Sequence, residues 1–355
     1  MGEKTEGDGI LKYRIGIPRA VMYYQFGTIW KSFFHTMDTE VIVSGETNKK
    51  ILDEGATRVV DEACLPVKVY FGHAMQLARE EVDFLFIPRL VSIEKKAFIC
   101  PKLMGLPDML SAGKSSLPPL IKPTLNLVKS ESRLEDFLQD IAKSLSFDKK
   151  KTRQAWHLAQ GVYNKEMESK RRSFLENQID CPGLTTIFLA AHPYLIHDRF
   201  LNLNIVDKLK KMGCRVILPE EIPPEVQNAE LSCLRKPLFW SFGKMQLGSV
   251  RFIARQPGAK GIIILSSFGC GIDSFIDNMV VRYLKKMGVP YLNIILDEHS
   301  GAAGLDTRIE AFLDMLRWKE SKDEDYVSTY GSYLGCDEGT ARASGAGCSS
   351  TTLFQ

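Results

Sequence analysis

Three cysteines, Cys64, Cys100 and Cys270, stand at places that favour thiolate chemistry. Cys64, in Asp61-Glu62-Ala63-Cys64-Leu65-Pro66, immediately precedes an expected helix. The positive end of that helix stabilises a thiolate or an anionic cluster. Cys100, in Phe98-Ile99-Cys100-Pro101-Lys102, falls on the loop after a strand that ends at Ile87. Cys270 lies between Gly269 and Gly271, just past one strand and at the start of a helix. Two of the three therefore follow the carboxyl end of a strand, and two precede a helix. Open α/β sheets bind ligands in the crevice outside those strand ends. Gly269 and Gly271 would let the backbone approach a bulky inorganic group. The thiols converge if two α/β domains face each other across a cleft. Three thiolates are one short of the usual cubane set, which leaves one iron open to substrate, solvent or a bridging sulfide. The spacing alone is a weak signal, since there is no Cys-x-x-Cys and a lone cysteine is most often a small buried hydrophobe. A zinc held by three thiolates and water is the other metal reading. Of the remaining cysteines, Cys214 sits at a strand start and reads as core, while Cys181, Cys233, Cys336 and Cys348 are unassigned.

The elements that must position these residues alternate. Apolar runs at 13–17, 40–43 and 83–87 read as strands, separated by helices over 23–37, 48–60 and 66–79. Thr47 is the expected N-cap of the second helix. Trp30, Phe33 and Phe34 mark the core face of the first. The second half repeats the alternation, with strands at 185–190, 215–218, 261–265 and 291–295 and helices at 200–212, 273–287 and 305–318. Lys210-Lys211-Met212-Gly213 and Lys285-Lys286-Met287-Gly288 both read as helix ends, with cations against the negative terminus and Gly in the left-handed cap. Between the halves, residues 130–177 are rich in Lys, Glu, Gln and Ala at helical spacing. The run Lys149-Lys150-Lys151 there reads as a solvated helix start. The expectation is an α/β fold of two Rossmann-like, doubly wound parallel-sheet domains, at 13–128 and 181–322, joined by a helical connector at 129–180. Residues 1–12 and the Gly/Ser/Thr-rich tail 323–355 are expected to be disordered.

Composition excludes several classes. The 355 residues are 45% hydrophobic and 25% charged, ordinary for a globular protein. A net charge of +3 gives no reason to invoke nucleic acid or an anionic membrane. Apolar stretches are too short to span a bilayer, and no export signal is visible. In a cytoplasmic chain of this size, cysteines read as core residues, metal ligands or catalysts before disulfides.

The local text resembles a known group. Tyr13-Arg14-Ile15-Gly16-Ile17-Pro18-Arg19-Ala20, Asp61-Glu62-Ala63-Cys64-Leu65-Pro66-Val67-Lys68, Phe86-Ile87-Pro88-Arg89-Leu90 and Ile99-Cys100-Pro101-Lys102 look like the 2-hydroxyacyl-CoA dehydratase and double-cubane cluster proteins. So do Phe268-Gly269-Cys270-Gly271-Ile272-Asp273 and Asp297-Glu298-His299-Ser300-Gly301. The resemblance runs from about Tyr13 to Trp318 and is nearest to the branch related to CoA-substrate-specific enzyme activases. It implies an oxygen-sensitive [4Fe-4S] cluster, or a double-cubane cluster, in the cleft between the domains, with Cys64, Cys100 and Cys270 as ligands. It also implies a low-potential electron delivered by a separate ATP-hydrolysing activator, dimeric assembly, and either acyl-CoA dehydration through a ketyl radical or small-molecule reduction. No Gly-rich phosphate loop of the activator's kind is visible here. The chain is thus expected to be a catalyst or an electron relay in anaerobic chemistry. The alternative is a non-enzymatic accessory module docking on an activase or dehydratase.

Other residues fall on the same edges. His192 follows the strand at 185–190 and is a candidate proton donor or hydrogen-bond partner of a cluster sulfide; the alternative is a polar strand terminator. Glu298 and His299 follow the last strand, as acid–base candidates or as a structural turn. Arg19 and Arg89 each follow an Ile-Pro strand end, where a guanidinium would neutralise a cluster or a CoA phosphate, or pair with Asp61 or Glu62. Asp198, with His197, reads as a helix cap, and His73 as structural.

Overall fold

A computed structural model of the chain describes residues 13–113, 117–129, 133–176, 184–258 and 261–321. The expectations for residues 1–12 and 323–355, and for Cys181, Cys336 and Cys348, fall outside the described residues. The first half builds a parallel sheet from β1 (Arg14–Ile17), β2 (Glu40–Val43), β3 (Phe84–Phe86) and β5 (Leu120–Ile121), in the order β2-β1-β3-β5. A second pair, β4 (Arg89–Ser92) and β6 (Thr124–Asn126), extends β3 and β5 past Pro88 and Pro123. Proline has no N–H for the ladder. Pairing nevertheless resumes on either side, with Ile87 N donating to Ile121 O and Arg89 N to Pro123 O, both at 2.9 Å.

The second half repeats the order with β7 (Thr185–Ala190), β8 (Cys214–Ile217), β9 (Gly261–Ser267) and β10 (Tyr291–Leu296), as β10-β9-β7-β8, again all parallel. Every residue of β9 is buried, as suits a central strand covered on both faces. Each half is thus an open doubly wound sheet whose strand order reverses beside its first strand. In chain order the helices Arg133–Leu145 and Lys149–Glu176 connect the two halves. The second lays Trp156 edge-on against Phe33, with ring centroids 5.8 Å apart. Among the described residues no helix is long and apolar enough to cross a membrane.

The helix Leu65–Leu77 is buried along its whole length except at Gln76. Its seat on the helix Lys49–Ala56 depends on two glycines. A Cβ on Gly55 would lie 1.8 Å from Lys68 O, and one on Gly72 would lie 1.9 Å from Ile51 O. Only hydrogen fits at such a backbone crossing. Asn48, not Thr47, caps Lys49–Ala56, its side chain accepting from Ile51 N at 3.1 Å. Thr47 turns inward, where its hydroxyl donates to Asp198 Oδ2 at 2.5 Å and lies 2.9 Å from buried His73 Nε2. The single helix expected at 200–212 is instead Pro193–His197 followed by Ile205–Lys211. Leu203 and Asn204, both with positive φ, break the chain between them. The two Lys-Lys-Met-Gly segments end helices as expected, with φ of +78° at Gly213 and +69° at Gly288.

Candidate functional site

All three cysteines occupy N-cap positions. Cys64 caps Leu65–Leu77, Cys100 caps the short helix Pro101–Met104, and Cys270 caps Gly271–Met287. The sequence pattern showed this for two of them; the four-residue helix after Cys100 carries no periodic signal. The Cys64 and Cys270 sulfurs therefore sit by the positive end of a helix, whereas Pro101–Met104 is a single turn. Cys270 Sγ accepts from Asp273 N at 3.4 Å. Burial pushes the Cys64 thiol pKa up, opposed by the Val67 amide and by Lys102. Burial, and then Asp273, push Cys270 up further.

The halves meet at these caps. Phe98, two residues before Cys100, lies across from Trp240: Phe98 N donates to Phe239 O at 2.8 Å, and Ser241 N to Phe98 O at 3.0 Å. This lays the Cys100 segment on the second half. Cys64, Cys100 and Cys270 consequently line one pocket, with His192 and Tyr194 as its polar groups and Phe98, Trp240 and Phe242 among its walls. The enclosed space is about 20 Å³, room for about one water.

His192 caps Pro193–His197 and is fully buried. Its Nδ1 is 2.5 Å from the Tyr194 hydroxyl, and its Nε2 is 3.2 Å from Asp273 Oδ1 without the alignment of a hydrogen bond. Burial lowers the imidazole pKa against the pull of Asp273. Burial and the carboxylate raise that of Tyr194. His192 Nδ1 and the Tyr194 hydroxyl thus share one hydrogen bond, whose direction follows the imidazole tautomer.

The other candidates do not line this pocket. Arg89 makes a two-pronged pair with Asp108 at 2.5 and 2.6 Å. Arg19 lies 3.9 Å from Glu46, with its Nε buried and unpartnered. Neither arginine pairs with Asp61 or Glu62. Glu298 is bound to Lys68, and His299 is exposed, its amide donating to Asp297. Asp198 caps a turn through Phe200 N and Leu201 N, both at 3.1 Å, while His197 pairs with Glu220. Tyr194, Trp240, Asp273 and Lys102 were not singled out by the sequence. Lys102 and Asp273 fall within the quoted motif segments without a role assigned, while Tyr194 and Trp240 are marked only by their position beside the cysteines in space.

Among the described residues, no group of three or more His, Cys, Asp or Glu is gathered to hold a metal ion. A single zinc draws its thiolates to about 2.3 Å from one point. A cubane separates its thiolates by its own width and takes soft sulfur donors. Three thiols on one pocket match that donor set. Trp240 adds a buried indole Nε1 without a partner, a donor suited to an inorganic sulfide. The space, however, is smaller than a cubane, so binding requires the lining loops to move outwards.

Comparisons with known proteins place the chain in a family. Residues 228–316 match the family model of the 2-hydroxyglutaryl-CoA dehydratase, D-component. No curated protein matches the sequence. Solved structures align weakly. The SBP FpvC from Pseudomonas aeruginosa in complex with Mn2+ is 13% identical, with a TM-score of 0.27 over 88% of this chain and 100% of its own. A Mn-bound periplasmic metal binding protein from Candidatus Liberibacter asiaticus is 11% identical, with a TM-score of 0.26 over 86% of this chain and 99% of its own. Neither carries an argument at those scores. Residues 14–222, more than half of the chain, match the model of the CoA enzyme activase uncharacterised domain (DUF2229), and the chain belongs to that family, within the superfamily its motifs resemble.

Proposed function

We propose that this chain is a cytoplasmic iron–sulfur protein of ATP-activated, low-potential electron transfer, with one [4Fe-4S] cluster on Cys64, Cys100 and Cys270. The observation that carries this reading is the meeting of three helix-capping cysteines, from both α/β halves, on one pocket. The cluster supplies one-electron chemistry. The chain's own residues exclude water through Phe98, Trp240 and Phe242, and hold a proton at the Tyr194 hydroxyl within reach of His192. A separate activase-type protein is the electron donor, and a dimer the working assembly. The reaction is dehydration of a 2-hydroxyacyl-CoA or reduction of a small molecule. Glu298 and His299 remain acid–base candidates on the same strand edge, and Arg19 and Arg89 anion-binding ones. A double cubane needs about six thiolates if each half keeps three. Among the described residues the other cysteines are Cys214, buried at the start of β8, and Cys233, exposed, and neither lines the pocket, so we favour a single cubane per chain.

The test is iron and acid-labile sulfide per chain, on protein reconstituted without oxygen, beside Cys270→Ala. About four of each, sharply reduced in the variant, supports the reading. About twice that favours the double cubane. Zinc alone would sink it in favour of the zinc-thiolate site, and no metal would sink it and leave the accessory docking module as the better account.

A further inference from the structure

Lys102 lies two residues beyond Cys100, in the short helix Pro101–Met104. Its ammonium serves the other two cysteine segments. Nζ donates to Glu62 O at 3.0 Å, two residues before Cys64, and to Gly269 O at 3.1 Å, the residue before Cys270. One side chain therefore joins all three segments, and its two acceptors belong to different α/β halves. The contact beneath it is close. Gly269 has φ +77°, and a Cβ built there would lie 3.6 Å from both Cys64 Cα and Glu62 O. Lys102 is exposed, and among the described residues it has no ion-pair partner, so its charge is met by these two carbonyl dipoles and by water. An unpaired cation at the meeting point of three thiol segments is suited to an anionic centre.

We propose that Lys102 is the positioning residue of this site: it fixes the spacing of the three cysteine segments and holds a positive charge against the centre they bind. This rests on the reading of the cysteines as cluster ligands. Two effects follow, and they separate. Loss of the ammonium frees the 61–64 and 267–270 segments from each other. Loss of its charge disfavours the reduced cluster, which carries one more negative charge, so the midpoint potential becomes more negative. Arginine keeps the charge and two or more donors, whereas methionine keeps neither.

The experiment compares wild type, Lys102→Met and Lys102→Arg in two states. In the metal-free protein, amide hydrogen exchange at 61–64 and 267–270 is expected to rise several-fold in Lys102→Met and to return towards wild type in Lys102→Arg. Exchange unchanged in Lys102→Met overturns the positioning role. In the reconstituted protein, the potential is expected to fall in Lys102→Met and to be restored in Lys102→Arg. An unchanged potential in iron-loaded Lys102→Met overturns the electrostatic role. If wild type takes up no iron while exchange still rises in Lys102→Met, the cluster reading fails and the tie between the segments stands.

Discussion

Lys68 Nζ lies 2.6 Å from Glu298 Oε1, an ion pair that ties the Cys64 helix of one α/β half to the chain just past β10 in the other. The lysine side chain is only 7% exposed and the glutamate 29%. The hydrogen bond from Lys68 holds the Glu298 carboxyl below the usual range. Removing the glutamate strands a buried ammonium, whereas removing the lysine leaves a carboxylate that water can reach. Glu298→Ala is therefore expected to cost roughly 2–4 kcal/mol in urea unfolding, and Lys68→Met clearly less. Equal losses would mean that burial of Lys68 does not govern this contact.

Asp277 stands one helical turn beyond Asp273, with Oδ1 accepting from Gln246 Nε2 at 3.0 Å. Burial, then the charge of Asp273, push its pKa up to about 6. The folded protein thus binds this proton more tightly than the unfolded chain, whose value is near 3.8. The sign follows: stability is greatest below the unfolded value and falls as pH rises through the folded one, by about 3 kcal/mol in all. Asp277→Asn is expected to flatten the decline in Tm between pH 4 and 6 and to stabilise the protein at neutral pH. A variant with the same pH slope as wild type would assign that slope to other groups.

Much of this architecture is legible in the sequence, and the gaps have physical causes. β1, β2 and β7 are short apolar runs with clear ends, and the Gly213 and Gly288 caps announce themselves through the lysines before them. The strands β4, β5 and β6 do not, because Pro88 and Pro123 interrupt what is in space one extended ladder. The helix Ser241–Ile253 contains Gly243 and Gly248, poor helix formers. Close packing needs the second of these, since a Cβ on Gly248 would lie 2.6 Å from Gln227 O. At the site, Cys100 and Cys270 could be read as lying past strand ends, and Cys64 as preceding a helix. Their company could not, because Phe98 with Trp240 and Lys102 with Gly269 are contacts far apart in sequence. The expected free acid Glu298 is taken up by Lys68, a pairing that no local pattern reveals.

Gly269 and Gly271 flank Cys270 but differ in what they permit. Gly269 has φ +77°, a left-handed conformation, while the Cβ position of Gly271 meets nothing within 4 Å. Gly269→Ala is expected to cost about 1–2 kcal/mol of stability and to weaken cluster retention. Gly271→Ala, at the first position of its helix, is expected to be tolerated in stability. Thermal unfolding of the two metal-free variants separates them, and an unaffected Gly269→Ala would show that the turn relaxes without glycine.

The pair of His192 Nδ1 and the Tyr194 hydroxyl, 2.5 Å apart, puts on the cysteine pocket an imidazole whose pKa burial lowers and a phenol whose pKa burial raises. Tyr194→Phe leaves Nδ1 buried without a partner, at a cost of roughly 1–3 kcal/mol. His192→Gln keeps a polar side chain there but removes the ring that stands between the phenol and Asp273. If this pair moves a proton in step with the electron, both variants lose at least about tenfold in activator- and ATP-dependent turnover, the lower end of what acid–base catalysis supplies being about a hundredfold. Their iron content should stay at the wild-type level. Full turnover in a folded, iron-loaded Tyr194→Phe would reduce the pair to a packing role and move the search for the proton donor to Glu298 and His299.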